Sequence, residues 1–166
     1  MTSELMEASS STAPAEPAAE RPLNLFTAAL LLLFFVTLLR RAWICDDAYI
    51  TFRTVDNFIN GYRLTWNVTE RVQVFTHPLW MFLLSFFYWI THEIYLTSLT
   101  ISAAVTAVTL GILTRSLAKS AWGAGLAVLG LTVSKAFVDF STSGLENPLS
   151  HLLIVVFFLL FWRMPS

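Results

Sequence analysis

Two adjacent acids, Asp46 and Asp47, open the one long polar, charge-bearing interval of this chain, DDAYITFRTVDNFINGYRLTWNVTERVQVFTHPLW, residues 46–80. They follow an apolar run, and acids at a membrane boundary are functional candidates by default because placing them there is costly. An adjacent pair can hold a divalent cation through oxygen ligands, or one member can serve as a general base. The structural alternative is helix capping, where an Asp satisfies free N–H groups and suits the helix dipole. Glu146, in STSGLENPL, is a third acid placed just before an apolar run. It can face the pair as a catalytic group or serve as a loop or capping acid. Arg53 offers a bidentate guanidinium to phosphate. Lys135 offers a point charge, or it snorkels to headgroups from an apolar segment. His77 precedes Pro78 and can touch a substrate or cap a helix. The other histidines, His92 and His151, are too scattered to suggest a metal cluster, and the lone Cys45 reads as a packed thiol.

The elements that must position these groups are apolar. The chain has 166 residues, 56% hydrophobic and 13% charged, against about 25% charged in a soluble domain. That deficit makes lipid the expected solvent for most of it. A net charge of −1 provides no basic face for nucleic acid. Residues 1–22 are Ser-, Ala-, Pro- and Glu-rich and are expected to form a disordered cytoplasmic tail. Residues 23–166 form one all-α integral membrane unit, with 46–90 as an external loop carrying surface helices.

Apolar runs 23–39, 94–113, 121–138 and 149–162 are the four expected spans. Ala48, Phe52, Val55 and Ile59 recur at helical spacing, with Tyr49, Arg53, Asp56 and Asn60 on another face. That pattern predicts an amphipathic helix lying on the outer membrane surface. Residues 78–90 are apolar but reach only about 20 Å as a helix, against about 30 Å of hydrocarbon. They read as a short half-inserted helix. If that helix does not cross, Arg115, Lys119 and Arg163 fall on the side of the amino terminus, the cytoplasmic side by the positive-inside rule. The acid pair and the loop 139–148 then share the opposite side. Gly123, Ala127, Gly130 and Ser134 make a small-residue stripe suited to close helix packing.

Taken together, DDAYITFR, NVTERVQ, THPLW and SGLENPL, set behind an anchor helix, resemble the GT-C superfamily of polytopic membrane glycosyltransferases. More narrowly they resemble the bacterial branch related to the mycobacterial terminal arabinofuranosyltransferases, over about residues 25–160. The resemblance implies transfer of a sugar, such as a pentofuranose, from a polyprenyl-phosphate donor to a cell-envelope glycan or lipid. The reaction would run on the outer, periplasmic face of a bacterial inner membrane. It implies a base or metal ligand at Asp46 or Asp47, with a divalent cation as the conceivable cofactor, and a second site acid at Glu146. Arg53, His77 and Lys135 are the candidates for substrate binding, by their chemistry. Val74 and Phe75 depart from the Gly-Tyr pair more usual in such sequences. Full members carry ten or more spans, so the expectation is an amino-terminal part, a fragment or an interrupted gene product. The alternative is a small non-catalytic membrane protein or an inert remnant.

Overall fold

The structure, a computed structural model, describes residues 24–70 and 72–164, so the expected tail lies outside the described residues. Among the described residues the fold is all-helical: α1 Leu25–Arg40, α2 Asp46–Ile59, α3 Pro78–Thr91, α4 Ile94–Ile112, α5 Ala121–Val133, α6 Lys135–Phe140 and α7 Asn147–Arg163. A π-helical turn, Leu113–Leu117, extends α4. The helix starts follow local chemistry. Asn24 caps α1 by accepting from the Thr27 amide at 2.8 Å. Glu93 caps α4 by accepting from the amides of Tyr95 and Leu96, and Pro78 sits at the start of α3, where its missing N–H costs nothing. His92, in the left-handed conformation at φ 54°, turns the chain from α3 into α4.

The ends of the helices sort into two poles. Thr27 at the start of α1 donates to the carbonyl of Ala121 at the start of α5, so these packed helices run parallel. At the other pole, Arg41 and Trp43 just beyond α1 reach Asp139 in α6. Ser143, in the loop that leads to α7, accepts from the amide of Cys45. α4 and α7 pack together, and the carboxyl end of α7 meets the π turn. The start of α1, the start of α5, the end of α4 and the end of α7 thus share one pole. The starts of α2 and α7 share the other.

α3 does not run from pole to pole. Its first residues touch the start of α7 through His77 and Glu146, and its last lead directly into α4. Trp80, Met81 and Leu84 share a core with Ala48, Phe52, Val55 and Ile101. α3 therefore packs along the amino-terminal half of α4. α2 carries its predicted stripe, with Ala48, Phe52 and Val55 buried and Tyr49, Arg53, Asp56 and Asn60 exposed. That stripe is covered by α3 and the loop before α7, so protein takes the place expected for lipid.

Among the described residues one helix, Ile94–Leu117 with its π turn, is long and apolar enough to cross a membrane. α1, α3, α5 and α7 are shorter apolar helices. α1, α5 and α7 nevertheless leave large apolar side chains uncovered, among them Leu32 and Val36, Trp122 and Leu126, and Ile154 and Phe157. Outward apolar surface of that extent marks faces that meet a membrane or further protein.

Two expectations are corrected. The run 121–138 is not one helix: Ser134 adopts ψ 100°, ends α5, and caps α6 by accepting from the Phe137 amide. A hydroxyl that can bond its own neighbouring backbone competes with helix continuation. Lys135 therefore opens a new short helix, α6, instead of continuing α5. The close-packing glycine is also not on the 123/127/130/134 stripe, where a Cβ at Gly130 would meet nothing within 4 Å. It is Gly125, whose added Cβ would lie 2.5 Å from the Phe26 ring, so α1 packs on the face bearing Ala124, Gly125 and Val128.

Candidate active site

The first turn of α2 presents both acids. Cys45 holds the capping position and no side chain caps this helix, so neither Asp46 nor Asp47 is spent on capping. Within the described residues neither carboxylate makes a hydrogen bond or ion pair, and the helix dipole favours their charge at this end. Their directions differ. Asp47 lines a cavity of about 290 Å³, together with Thr51, Thr76, His77 and Glu146 and the apolar Ile50, Val74 and Leu145, whereas Asp46 does not. The pair that spacing alone left equivalent is separated by the 100° step of the helix.

Three chain segments meet at His77. Its Nε2 lies 2.9 Å from the Thr51 hydroxyl on α2. Its Nδ1 lies 3.3 Å from Glu146 Oε2, just before α7. With the proton on Nδ1, the ring donates to Glu146 and accepts from Thr51, which satisfies all three groups. Thr76 Oγ1 also stands 3.3 Å from Nδ1. Since the His77 side chain makes no capping bond to α3, its ring serves the cavity and not the helix.

Glu146 arrives there because the preceding loop is pinned. Gly144 takes φ +83°, and a Cβ on it would lie 2.8 Å from the Ala48 Cβ. Its carbonyl accepts from the buried Trp80 indole at 2.9 Å, while the Ser143 carbonyl accepts from Cys45 at 2.8 Å. A glycine is needed here on two counts, backbone sign and space. The SGLE segment is thereby seated on α2 and α3 at once.

Arg53 and Lys135 stand elsewhere. Arg53 donates through Nε to the Trp66 carbonyl at 3.0 Å and stacks its guanidinium 4.6 Å above the Trp66 ring. One turn on, Asn57 donates to the carbonyls of Thr65 and Trp66. Together they hold the loop after α2. Lys135 pairs with Asp139 at 2.6 Å, and Asp139 also meets Arg41 at 3.7 Å. Neither Arg53 nor Lys135 lines the cavity. Among the described residues, no three His, Cys, Asp or Glu side chains are arranged to hold a metal ion. The donor set conceived for a cation thus amounts to Asp47 beside a His77–Glu146 pair already engaged with itself.

Thr51 and Thr76 are site residues that the motifs did not single out. The signal for Thr51 was present as a step of four from Asp47, which puts both on one helix face. The stripe 48/52/55/59 drew attention to the neighbouring face instead.

The chain is similar to the terminal β-(1→2)-arabinofuranosyltransferase of Mycobacterium tuberculosis, 33% identical over 136 residues, covering 75% of this chain and 21% of that protein. The chain thus spans about a fifth of the length of the curated relative it matches. No protein-family model matches the chain, and no solved structure does.

Proposed function

We propose that this chain is, or belongs to, a GT-C-type membrane glycosyltransferase whose general base is Asp47. The observation that carries the reading is an unpartnered carboxylate lining a cavity beside a fixed His77–Glu146 pair. An acceptor hydroxyl entering that cavity loses its proton to Asp47 while its oxygen attacks the anomeric carbon of the donor. The sugar–phosphate C–O bond breaks with its electron pair leaving on the polyprenyl phosphate, and the configuration inverts. General-base assistance of this kind is worth about 10²–10⁴ in rate. His77, its tautomer set by Glu146, holds the cavity wall and presents its ring to the incoming sugar. The similarity to an arabinofuranosyltransferase supports a pentofuranose as the sugar, and the acceptor in this reading is a cell-envelope glycan or lipid.

The donor's prenyl chain is assigned to an apolar cleft of about 640 Å³ along α3, α4 and α7, lined by Leu83, Phe87, Ile101, Val105 and Leu152 among others. In this reading α1, α4, α5 with α6, and α7 cross the inner membrane, and the Asp47 pole faces the periplasm.

The test is separate substitution of Asp46→Asn and Asp47→Asn, with sugar transfer from a labelled polyprenyl-phosphate pentofuranose measured in membranes. Asp47→Asn is expected to lose at least about a hundredfold, and Asp46→Asn to keep most activity. Full activity in both variants removes the catalytic assignment. Donor binding without transfer by the unaltered protein supports the non-catalytic reading in its place. Chelation with EDTA reads cation dependence directly, and transfer that survives it removes the metal-ligand role from both acids.

A further inference from the structure

The proposed reaction uses the Asp47 pole and leaves the other pole unexplained. There, a second cavity of about 550 Å³ lies between the π turn, the connection into α5 and the carboxyl end of α7. It is lined by Ser116, Leu117, Lys119, Leu159, Trp162 and Arg163. Two cations, a hydroxyl and the apolar Leu117, Leu159 and Trp162 line this space together. We infer that this cavity binds the phosphate headgroup of an anionic membrane lipid.

Position supports that occupant. α7 has 17 residues, so Arg163 stands about 25 Å along the axis from Glu146. Leu117 ends a stretch long and apolar enough to cross a membrane. The cavity therefore opens at the depth where headgroups lie. Trp162 is the residue type that prefers that layer, and Leu117 and Leu159 offer surface to the upper acyl chain. Basic pockets between membrane helices on the cytoplasmic side are suited to anionic headgroups. The π turn matters locally: it is closed by the i→i+5 bond from the Ala118 amide to the Leu113 carbonyl, and such turns recur at functional sites. A structural alternative is that Lys119 and Arg163 only complement the negative carboxyl ends of α4 and α7. That role does not require a cavity, an indole and a hydroxyl beside the charges, and it does not distinguish one lipid from another.

The experiment is native mass spectrometry of the whole protein released from nanodiscs containing equal phosphatidylglycerol and phosphatidylcholine. Preferential retention of phosphatidylglycerol is expected. It should weaken roughly fivefold for each cation removed in Lys119→Gln and Arg163→Gln, and persist in Lys119→Arg and Arg163→Lys, which keep the charge. Equal retention of the two lipids overturns the inference. So does undiminished phosphatidylglycerol preference in the double Gln variant. Displacement of phosphatidylglycerol by millimolar inorganic phosphate would reassign the cavity to free phosphate and likewise overturn the lipid. Because the site is at the pole opposite Asp47, none of these outcomes touches the glycosyltransferase reading.

Discussion

At the scale of single residues, the chemistry of the site turns on which groups are already committed. Glu146 and Thr51 are spent on the two ring nitrogens of His77, and Asp56 on Tyr88. Among the described residues Asp47 is spent on none. An acid with no partner, facing a cavity at a helix amino end, is available both to accept a proton and to hold charge. The Glu146–His77 bond makes a distinct prediction. Glu146→Gln can still accept from Nδ1–H and should retain transfer within roughly tenfold, whereas Glu146→Ala leaves the ring unset and should fall further. Equal losses in the two variants, measured as kcat/KM, would give the Glu146 charge itself a direct catalytic role. Gly144 makes a second prediction. Gly144→Ala must accept a positive φ and press against the Ala48 Cβ. The expected cost is about 2–4 kcal/mol, read as a fall in the thermal midpoint of the purified protein. A variant as stable as the parent would mean that the SGLE loop is not held as described.

At the scale of elements, α2 and α3 form the unit that carries the cavity. They share the core around Phe52, Trp80 and Leu84, and they are tied at their far ends by the Tyr88 hydroxyl, which donates to Asp56 at 2.6 Å. That bond to a carboxylate, with desolvation and the Asp56 and Glu93 charges behind it, pushes the Tyr88 pKa from the ordinary 10.0 up to about 12. The folded value lies above the unfolded one. The stabilisation is therefore fully present below pH 10 and lost as pH rises through about 12. Tyr88→Phe should remove that component, so its deficit in denaturation midpoint against the parent should be constant below pH 10 and shrink above it. A deficit unchanged up to pH 12 would mean that the bond does not form. Trp80 couples the same unit to the loop before α7. Trp80→Phe would leave the Gly144 carbonyl without its donor, at a cost of about 1–3 kcal/mol, and is expected to lower transfer along with stability, because Glu146 rides on that loop.

At the scale of the whole molecule, two poles separate two kinds of chemistry. Acids and His77 gather where α2 and α7 begin, and Lys119 and Arg163 gather where α4 and α7 end. If α4 crosses the bilayer as its length allows, single cysteines at Lys119 and at the exposed Val68, in a Cys45→Ser background, should label from opposite faces, with Val68 outside. Labelling of both positions from one face would refute the crossing. Much of this arrangement was legible in the chain. The apolar run 78–90 anticipated a short helix there, and the 3.6-residue rhythm of Ala48, Phe52 and Val55 anticipated the buried face of α2. Both are properties of period and length, which sequence carries directly. The break at Ser134 and the packing of Gly125 were not anticipated. An apolar run does not reveal which of its faces meets a neighbour, nor whether a hydroxyl will compete for the backbone.

The sequence by itself determined the all-helical character, the two acids at a helix start, and the SGLE segment with the one residue type that tolerates its turn. These follow from composition, local spacing and backbone sign, and each is decided within a few residues. Tertiary structure alone decided that Asp47 and not Asp46 faces the cavity, that Glu146 meets the His77 ring, and that Arg53 is occupied with Trp66. Those assignments depend on residues far apart in the chain meeting at distances set by how helices pack, and no local pattern encodes them.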